Sequence, residues 1–382
     1  MFSLVHPSNV PIALQNVGCT EDSHPIFLKK TNLLCIQANH VGFREATILK
    51  QTFLRHGGDV AVHKNVLDHA IEDSTVLMIG TEDIFSHCIE SLTRQNYFHI
   101  PVFRENLKQF LSIILRKQNT VFPLLMGILN VTPDSFSDGN ECMTMENVLL
   151  KATKLVEEGA DILDIGGEST RPGATLIQEQ EEYKRVIAPI KQIHQKFPRI
   201  PLSLDTHRVS IAKAGIDQGV RMINCVKVTK EMIELVAQYP DVQIVIMHMK
   251  GTPETMQNET TYSSLLEDIY LFFEDWLSLC KQNHIHPSRI VLDPGIGFAK
   301  TAQQNVQILQ NISTFFTLGC RILVGHSRKR FFGDLLQIPL QDRDLPTALV
   351  GALLWEKGVD ILRIHNVGAT KNALKTTLMM HS

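Results

Sequence analysis

Met126-Gly-Ile-Leu-Asn-Val-Thr-Pro-Asp-Ser-Phe136, continuing through Ser137, Asp138 and Gly139, joins an apolar run to a burst of hydrogen-bonding side chains. Leu124 to Leu129 reads as a buried strand. Asn130, Thr132, Asp134, Ser135, Ser137 and Asp138 crowd the loop leaving its C-terminal end. Thr132, Pro133 and Asp134 alone would make a capped turn. So many polar groups exceed what a turn needs, and loops on rigid scaffolds are where binding and catalysis concentrate. The stretch predicts a core strand whose carboxyl end opens onto a functional site.

The same signal repeats from residue 121 onward. Apolar strands are expected at 124–130, 161–165, 201–205, 221–225, 242–248, 289–293, 321–325 and 359–363. Helices are expected near 144–159, 179–197, 208–219, 229–238, 263–284, 302–314, 344–357 and 368–380. Alternation of this kind implies an α/β fold with a parallel sheet. Eight units in about 260 residues fit a (β/α)8 TIM barrel; an open doubly wound sheet is the alternative. No GxGxxG follows a strand and no GxxxxGK[ST] occurs, which weakens nucleotide-binding readings.

The preceding sequence has a different pattern. Residues 1–25 carry little periodicity and read as an irregular arm. Residues 26–120 read as a small α/β domain, with strands at 33–37, 60–62 and 76–79 and helices over 45–54, from 81 and over 104–115. Gly57-Gly58 is a natural helix stop, and Thr81-Glu-Asp suits a helix start. Gln118-Asn119-Thr120 reads as the junction, which leaves 121–382 as the barrel domain.

Composition excludes several classes. Of 382 residues, 44% are hydrophobic and 20% charged, with a net charge of -3. That balance gives no general electrostatic case for nucleic acid or a membrane surface. No segment approaches the roughly 18 apolar residues that span a bilayer. The amino terminus lacks the basic start and long apolar core of an export signal, so a cytoplasmic location is expected. Seven dispersed cysteines, odd in number and without a CxxC pair, argue for reduced thiols over a zinc site or disulfide framework.

Barrel active sites are built where strands end. Here the expected strands end in Asn130, Asp164, Asp205, Asn224, His248, Asp293, Ser327-Arg328-Lys329, and Arg363 with His365. A single such residue is commonly a cap for the next helix; recurrence at every strand points to a mouth. Asp205, Asn224 and Asp293 suit a planar heterocycle with several N–H groups, and Lys329 could donate to a ring carbonyl or nitrogen. Ser169, Thr170, Arg171, Arg363 and His365 suit phosphate oxygens. The glycines of Asp164-Ile-Gly-Gly-Glu168 allow close backbone approach to a ligand. Asn130 with phosphate oxygens could hold Mg²⁺, a cation usually bound by few protein ligands.

The motifs MGILNVTPDSFSDG (126–139), DIGGESTRPGA (164–174), SLDTHR (203–208), IN (223–224), MHMKGTPETMQ (247–257), LDPGIGFAK (292–300), GHSRK (325–329) and RIHNV (363–367) closely resemble those of dihydropteroate synthases of folate biosynthesis, in the family's order. The resemblance implies an eight-stranded barrel joining 6-hydroxymethyl-7,8-dihydropterin diphosphate to 4-aminobenzoate, with pyrophosphate released. It implies that Asp205, Asn224, Asp293 and Lys329 hold the pterin, and that Asn130, Arg363 and His365 bind pyrophosphate with Mg²⁺. Thr170, Arg171 and Pro172 would form the aminobenzoate pocket, with Ser327 near the carboxylate and Phe298 beside the ring. Asp205, Lys329, Arg363 and Asn130 would carry catalysis, and the 131–139 and 166–174 loops would close over the site. Family members are commonly homodimers.

Two positions depart from the family pattern: Cys225 and Asn366 stand where Asp is usual. Neither replaces a motif side chain, so activity is expected to survive. The competing readings are a methyltetrahydrofolate-type pterin methyltransferase and a non-catalytic pterin- or partner-binding relative. The first would not need the pyrophosphate set, and the second would be marked by loss of Asp205, Lys329 or Arg363. The N-terminal segment is too short for the pyrophosphokinase fused to some synthases. Ile48-Leu-Lys-Gln51, Gly57-Gly-Asp59 and Ala61-Val62 are similar to an extension of some longer synthases, a segment of unknown role for which a structural or dimer-related function is expected and a regulatory or partner-binding one is the alternative.

Overall fold

The computed structural model describes residues 10–66, 71–118, 122–132, 144–168, 177–251 and 259–381. The chain divides into two compact units, one running to Ser112 with the C-terminal residues from Leu378, the other spanning Ile113–Thr377. This division falls inside a helix rather than at the expected 118–120 junction.

In the first unit β1 (Leu33–Gly42), β2 (Asp59–Ala61) and β3 (Asp73–Thr81) form an antiparallel sheet in the order β1-β3-β2. The helices α1 (Val10–Val17) and α2 (His24–Leu28) precede it, so part of the expected irregular arm is helical. Helices α3 (Phe43–Arg55) and α4 (Glu82–Leu92) supply Leu49, Phe53, Phe85 and Cys88 to a fully buried core. Thr81 Oγ1 caps α4 by accepting from Ile84 N, as its sequence predicts. The helix α5 (Ile100–Gln118) follows.

The second unit is a closed eight-stranded barrel, every ladder parallel. Its strands are β4 (Leu124–Asn130), β5 (Ile162–Gly166), β6 (Leu202–Asp205), β7 (Met222–Cys225), β8 (Gln243–Met247), β9 (Ile290–Asp293), β10 (Arg321–Val324) and β11 (Ile361–Ile364). Each matches an expected strand to within a few residues. The helices between them are α6 (Met145–Glu158), α7 (Glu179–Lys196), α8 (Val209–Asp217), α9 (Lys230–Ala237), α10 (Leu265–Gln282), α11 (Ala302–Gln310), α12 (Arg330–Leu336), α13 (Asp344–Glu356) and α14 (Val367–His381). The seven-residue α12 is the one the sequence pattern did not suggest.

Alternation along the strands builds the site. Successive residues face opposite sides of a strand. Met126, Ile162, Met222, Val245, Val291, Leu323 and Ile361 fill the barrel interior. Two residues further along come Ile128, Asp164, Asn224, Met247, Asp293, Gly325 and Arg363, joined by Asp205 on β6. The outward positions, among them Leu163, Ile165, Leu204, Ile223 and Cys225, pack against the helices in the main core. A layer of hydrocarbon thus supports a layer of charge. At the opposite end, Asp161 and Asp360 accept the N–H groups of Leu125 and Ile322 and pin the strand starts.

Candidate active site

The mouth is organised around two carboxylates and one guanidinium. Arg363 donates from Nε to Asp164 Oδ2 at 2.6 Å and from Nη2 to Asp205 Oδ2 at 2.7 Å. Asn224 Nδ2 donates to the same Asp164 oxygen at 3.0 Å. All four side chains are largely buried. Burial pushes the Asp205 carboxyl up to about 7: Arg363 pulls it down and Asp164 opposes that. For Arg363 burial acts against the cation, but Asp164 and Asp205 outweigh it and hold its pKa above the usual value.

The resemblance sets Arg363 with Asn130 and His365 on the anion side; in the structure its guanidinium bonds Asp164 and Asp205. Asp164, given no role from sequence, is the hub of the network. Its signal was available: it is polar, at a strand end, and two residues beyond the inward Ile162.

Asp293 lies beside this group. Burial raises its pKa, and the N–H of Gly295, 2.8 Å from Oδ1, works the other way. Two glycines keep the floor open. A Cβ on Gly166 would stand 3.7 Å from Asn130 Oδ1 and 3.9 Å from Asp205 Oδ2, and one on Gly325 would stand 3.7 Å from Asp293 Oδ2 and 3.8 Å from Arg363 Cδ. Asn130 Oδ1 therefore lies on the same part of the floor as Asp205, where a hard cation would find one neutral oxygen ligand. Among the described residues no group of three or more His, Cys, Asp or Glu side chains could hold a metal by itself.

Lys329 Nζ stands 4.1 Å from the centroid of the Phe298 ring, so residues expected on the pterin and aminobenzoate sides touch. Ser327 Oγ is 2.9 Å from His365 Nδ1 and accepts from the His365 N–H at 3.0 Å. That pair ties the loop after β10 to the loop after β11. Thr170, Arg171 and Pro172, and the loop residues 133–143 and 169–176, lie outside the described residues. The base of the second loop is fixed: Glu168 Oε1 accepts Ile177 N at 2.8 Å, and Arg208 binds Glu168, Glu182 and the Ile177 carbonyl.

A buried lysine also escaped sequence reading. Lys300 Nζ donates to Phe298 O at 2.9 Å and to His248 Nδ1 at 3.0 Å. Burial lowers Lys300 to about 7 against the pull of Asp293, and burial together with Lys300 lowers His248 to about 2, leaving a neutral acceptor. The pair ties the 295–300 turn, which carries Phe298, to the end of β8. His326, given no role from sequence, is fully buried and bonds the Thr347 carbonyl at 2.9 Å.

Both departures from the family pattern are explained locally. Cys225 points into the apolar layer between barrel and helices, away from the mouth, and burial lifts its thiol to about 12. Asn366 Oδ1 accepts the Ala369 N–H at 3.0 Å, and its Nδ2 donates to Asp344 Oδ2 at 3.0 Å.

A closed parallel barrel with carboxylates, an amide and two cations converging at its carboxyl end is the architecture of a barrel enzyme with its site at the strand ends. The model of the pterin binding enzyme family matches residues 126–365, and the chain belongs to that family. A dihydropteroate synthase of Synechocystis sp. is 40% identical over 255 residues, covering 66% of this chain and 88% of that one. A dihydropteroate synthase structure from Xanthomonas albilineans with 4-aminobenzoic acid is 35% identical, with a TM-score of 0.63 over 68% of this chain and 94% of that one. A probable bifunctional folylpolyglutamate synthase/dihydropteroate synthase of Halobacterium salinarum is 33% identical over 333 residues, 85% of this chain and 40% of that one. That match is longer than the barrel alone.

Proposed function

We infer that the chain is a dihydropteroate synthase, a transferase of folate biosynthesis. It joins 6-hydroxymethyl-7,8-dihydropterin diphosphate to 4-aminobenzoate. The carbon–oxygen bond to the diphosphate breaks, a carbon–nitrogen bond to the arylamine forms, and the amine loses a proton. The observation that carries the reading is the convergence, in one mouth, of groups suited to a planar donor-rich ring and groups suited to an anion.

The residue roles are those that the family resemblance implies, and the chemistry of the side chains suits them. Asp205, Asn224 and Asp293 hold the pterin edge, and Lys329 donates to the ring. Negative charge on Asp205 and Asp293 stabilises positive charge developing on the ring as the diphosphate departs. Asn130, Ser327 and His365 line the anion side, and Arg363 connects the two sides. An aromatic amine is nucleophilic when neutral, so no strong base is required. Thr170, Arg171, Pro172 and Phe298 shape the aminobenzoate pocket, with Ser327 toward its carboxylate. Mg²⁺ held by Asn130 and diphosphate oxygens would supply charge neutralisation to the leaving group.

The protein is further proposed to be a homodimer through α13. Leu345, Leu349 and Leu353 recur every four residues and are 69%, 55% and 57% exposed, an apolar stripe of the kind that marks a subunit interface. A cytoplasmic setting fits the six described cysteines, all free thiols. Among the described residues no helix is long and apolar enough to cross a membrane.

The test is pyrophosphate release in the presence of both substrates. Release is expected to need each substrate, to stop with chelator and to return with Mg²⁺. Folded protein that releases none would overturn the assignment.

A further inference from the structure

We propose that Asp344 is a positioning residue that locks the loops carrying Ser327, Lys329 and His365 into one unit, and that the neutral amide of Asn366 is matched to it. The roles of the held residues rest on the synthase reading; the clamp itself rests on geometry.

Arg328 lies between Ser327 and Lys329 with φ at 56°, a left-handed conformation disfavoured for a residue with a Cβ. The start of α13 holds it there. The Arg328 N–H donates to Thr347 Oγ1 at 3.1 Å, and its carbonyl accepts from Arg343 Nη1 at 3.2 Å. Its guanidinium forks onto Asp344, Nε to Oδ1 at 2.5 Å and Nη2 to Oδ2 at 2.8 Å. A two-point fork fixes direction as well as distance. The Arg328 bond is the main cause holding the Asp344 carboxyl below its usual range.

The second loop is attached to the same carboxylate. Asn366 Nδ2 donates to Asp344 Oδ2 at 3.0 Å, while Asn366 Oδ1 accepts the Ala369 N–H. These two partners set the orientation of the amide, with nitrogen toward Asp344. Asp344 thus holds the residue between Ser327 and Lys329 on one loop and the residue after His365 on the other. The Ser327–His365 bonds close the ring. A carboxylate at position 366 would put a second negative oxygen where a donor now stands.

The test is a double-substitution cycle on the full chain: wild type, Asn366→Asp, Asp344→Asn, and both together. Each single change is expected to lower kcat/KM for dihydropterin diphosphate about tenfold, chiefly through KM, and the pair, which restores the amide–carboxylate bond between 344 and 366 but not the full Arg328 fork, to lose clearly less than the product of the two single losses. A purely structural contact would show this coupling in Tm alone and leave the KM of the folded variants unmoved. Asn366→Asp with unchanged kcat/KM, or losses that multiply in the double variant, would overturn the proposal. Thermal unfolding of the four proteins covers a single variant that does not fold: regained folding in the double supports the clamp, and none refutes it. Titration with inorganic pyrophosphate reads the same loops without turnover, and equal affinities across the set refute the clamp. A folded wild type that binds pyrophosphate but does not turn over would count against the synthase reading alone.

Discussion

Asp205 shows how burial and function compete at a single side chain. Its carboxyl is lifted from the usual 3.8 to about 7 by burial, despite the Arg363 contact. In its proposed role Asp205 must be a carboxylate to accept a ring N–H, so affinity for dihydropterin diphosphate should improve as pH rises from about 6 to 8. Asp205→Asn is expected to weaken binding about tenfold or more and to flatten that pH dependence, because a buried ring donor loses a charged partner. Titration calorimetry at several pH values checks both. Stability moves the opposite way. Between pH 3.8 and about 7 the folded chain keeps a proton that the unfolded chain has lost. The contribution of this group to stability is therefore complete below that window and declines as pH rises through it.

At the scale of elements, the turn after β9 is the most constrained piece of the mouth. Gly295 donates to Asp293, has φ at +70°, and a Cβ there would collide with the His248 carbonyl. The same turn places Phe298 against Lys329 and anchors Lys300 on His248. Gly295→Ala should cost about 2 kcal/mol or more, read as a fall in Tm of about 5 °C or more. A Tm unchanged within a degree or so would show the turn to be more tolerant than its geometry implies.

Much of the element layer was legible in the sequence. Eight apolar runs with polar ends marked the barrel strands, and Thr81 marked the start of α4. The misses have physical causes. The expected strand at 33–37 continues to Gly42 because Ala38, Val41 and Gly42 pair with β3 on either side of an irregularity, a non-local gain invisible to local propensity. The helices α1 and α12, of eight and seven residues, are too short for periodicity to declare them. A polar residue at or near the end of each barrel strand was marked as a candidate, Asp164 among them, yet nothing local told which partners Asp164 would meet or that Lys300 would be buried.

The molecule as a whole pairs a barrel with a separate α/β unit. The Synechocystis and Xanthomonas synthases are covered over 88% and 94% of their length by about two thirds of this chain, so the catalytic apparatus is expected to lie entirely within the barrel. The exposed leucine stripe on α13 predicts the assembly. Leu349→Glu would place a charge in the centre of that stripe and should convert a dimer into a monomer of similar Tm, measured by light scattering. A wild-type protein that is monomeric at micromolar concentration would refute the interface.

The sequence by itself determined the alternation of strands and helices, and with it the barrel, because continuous apolar runs and strand-end polarity are local properties of the chain. It also determined the inventory of the mouth. Only the tertiary structure decided how that inventory is wired. Arg363 meets Asp205 and Asp164 across 158 and 199 residues of chain, and Asp344 joins Arg328 to Asn366. Such pairings depend on which side chains closure of the barrel leaves within hydrogen-bond reach at one buried layer. No local pattern in the chain encodes that choice.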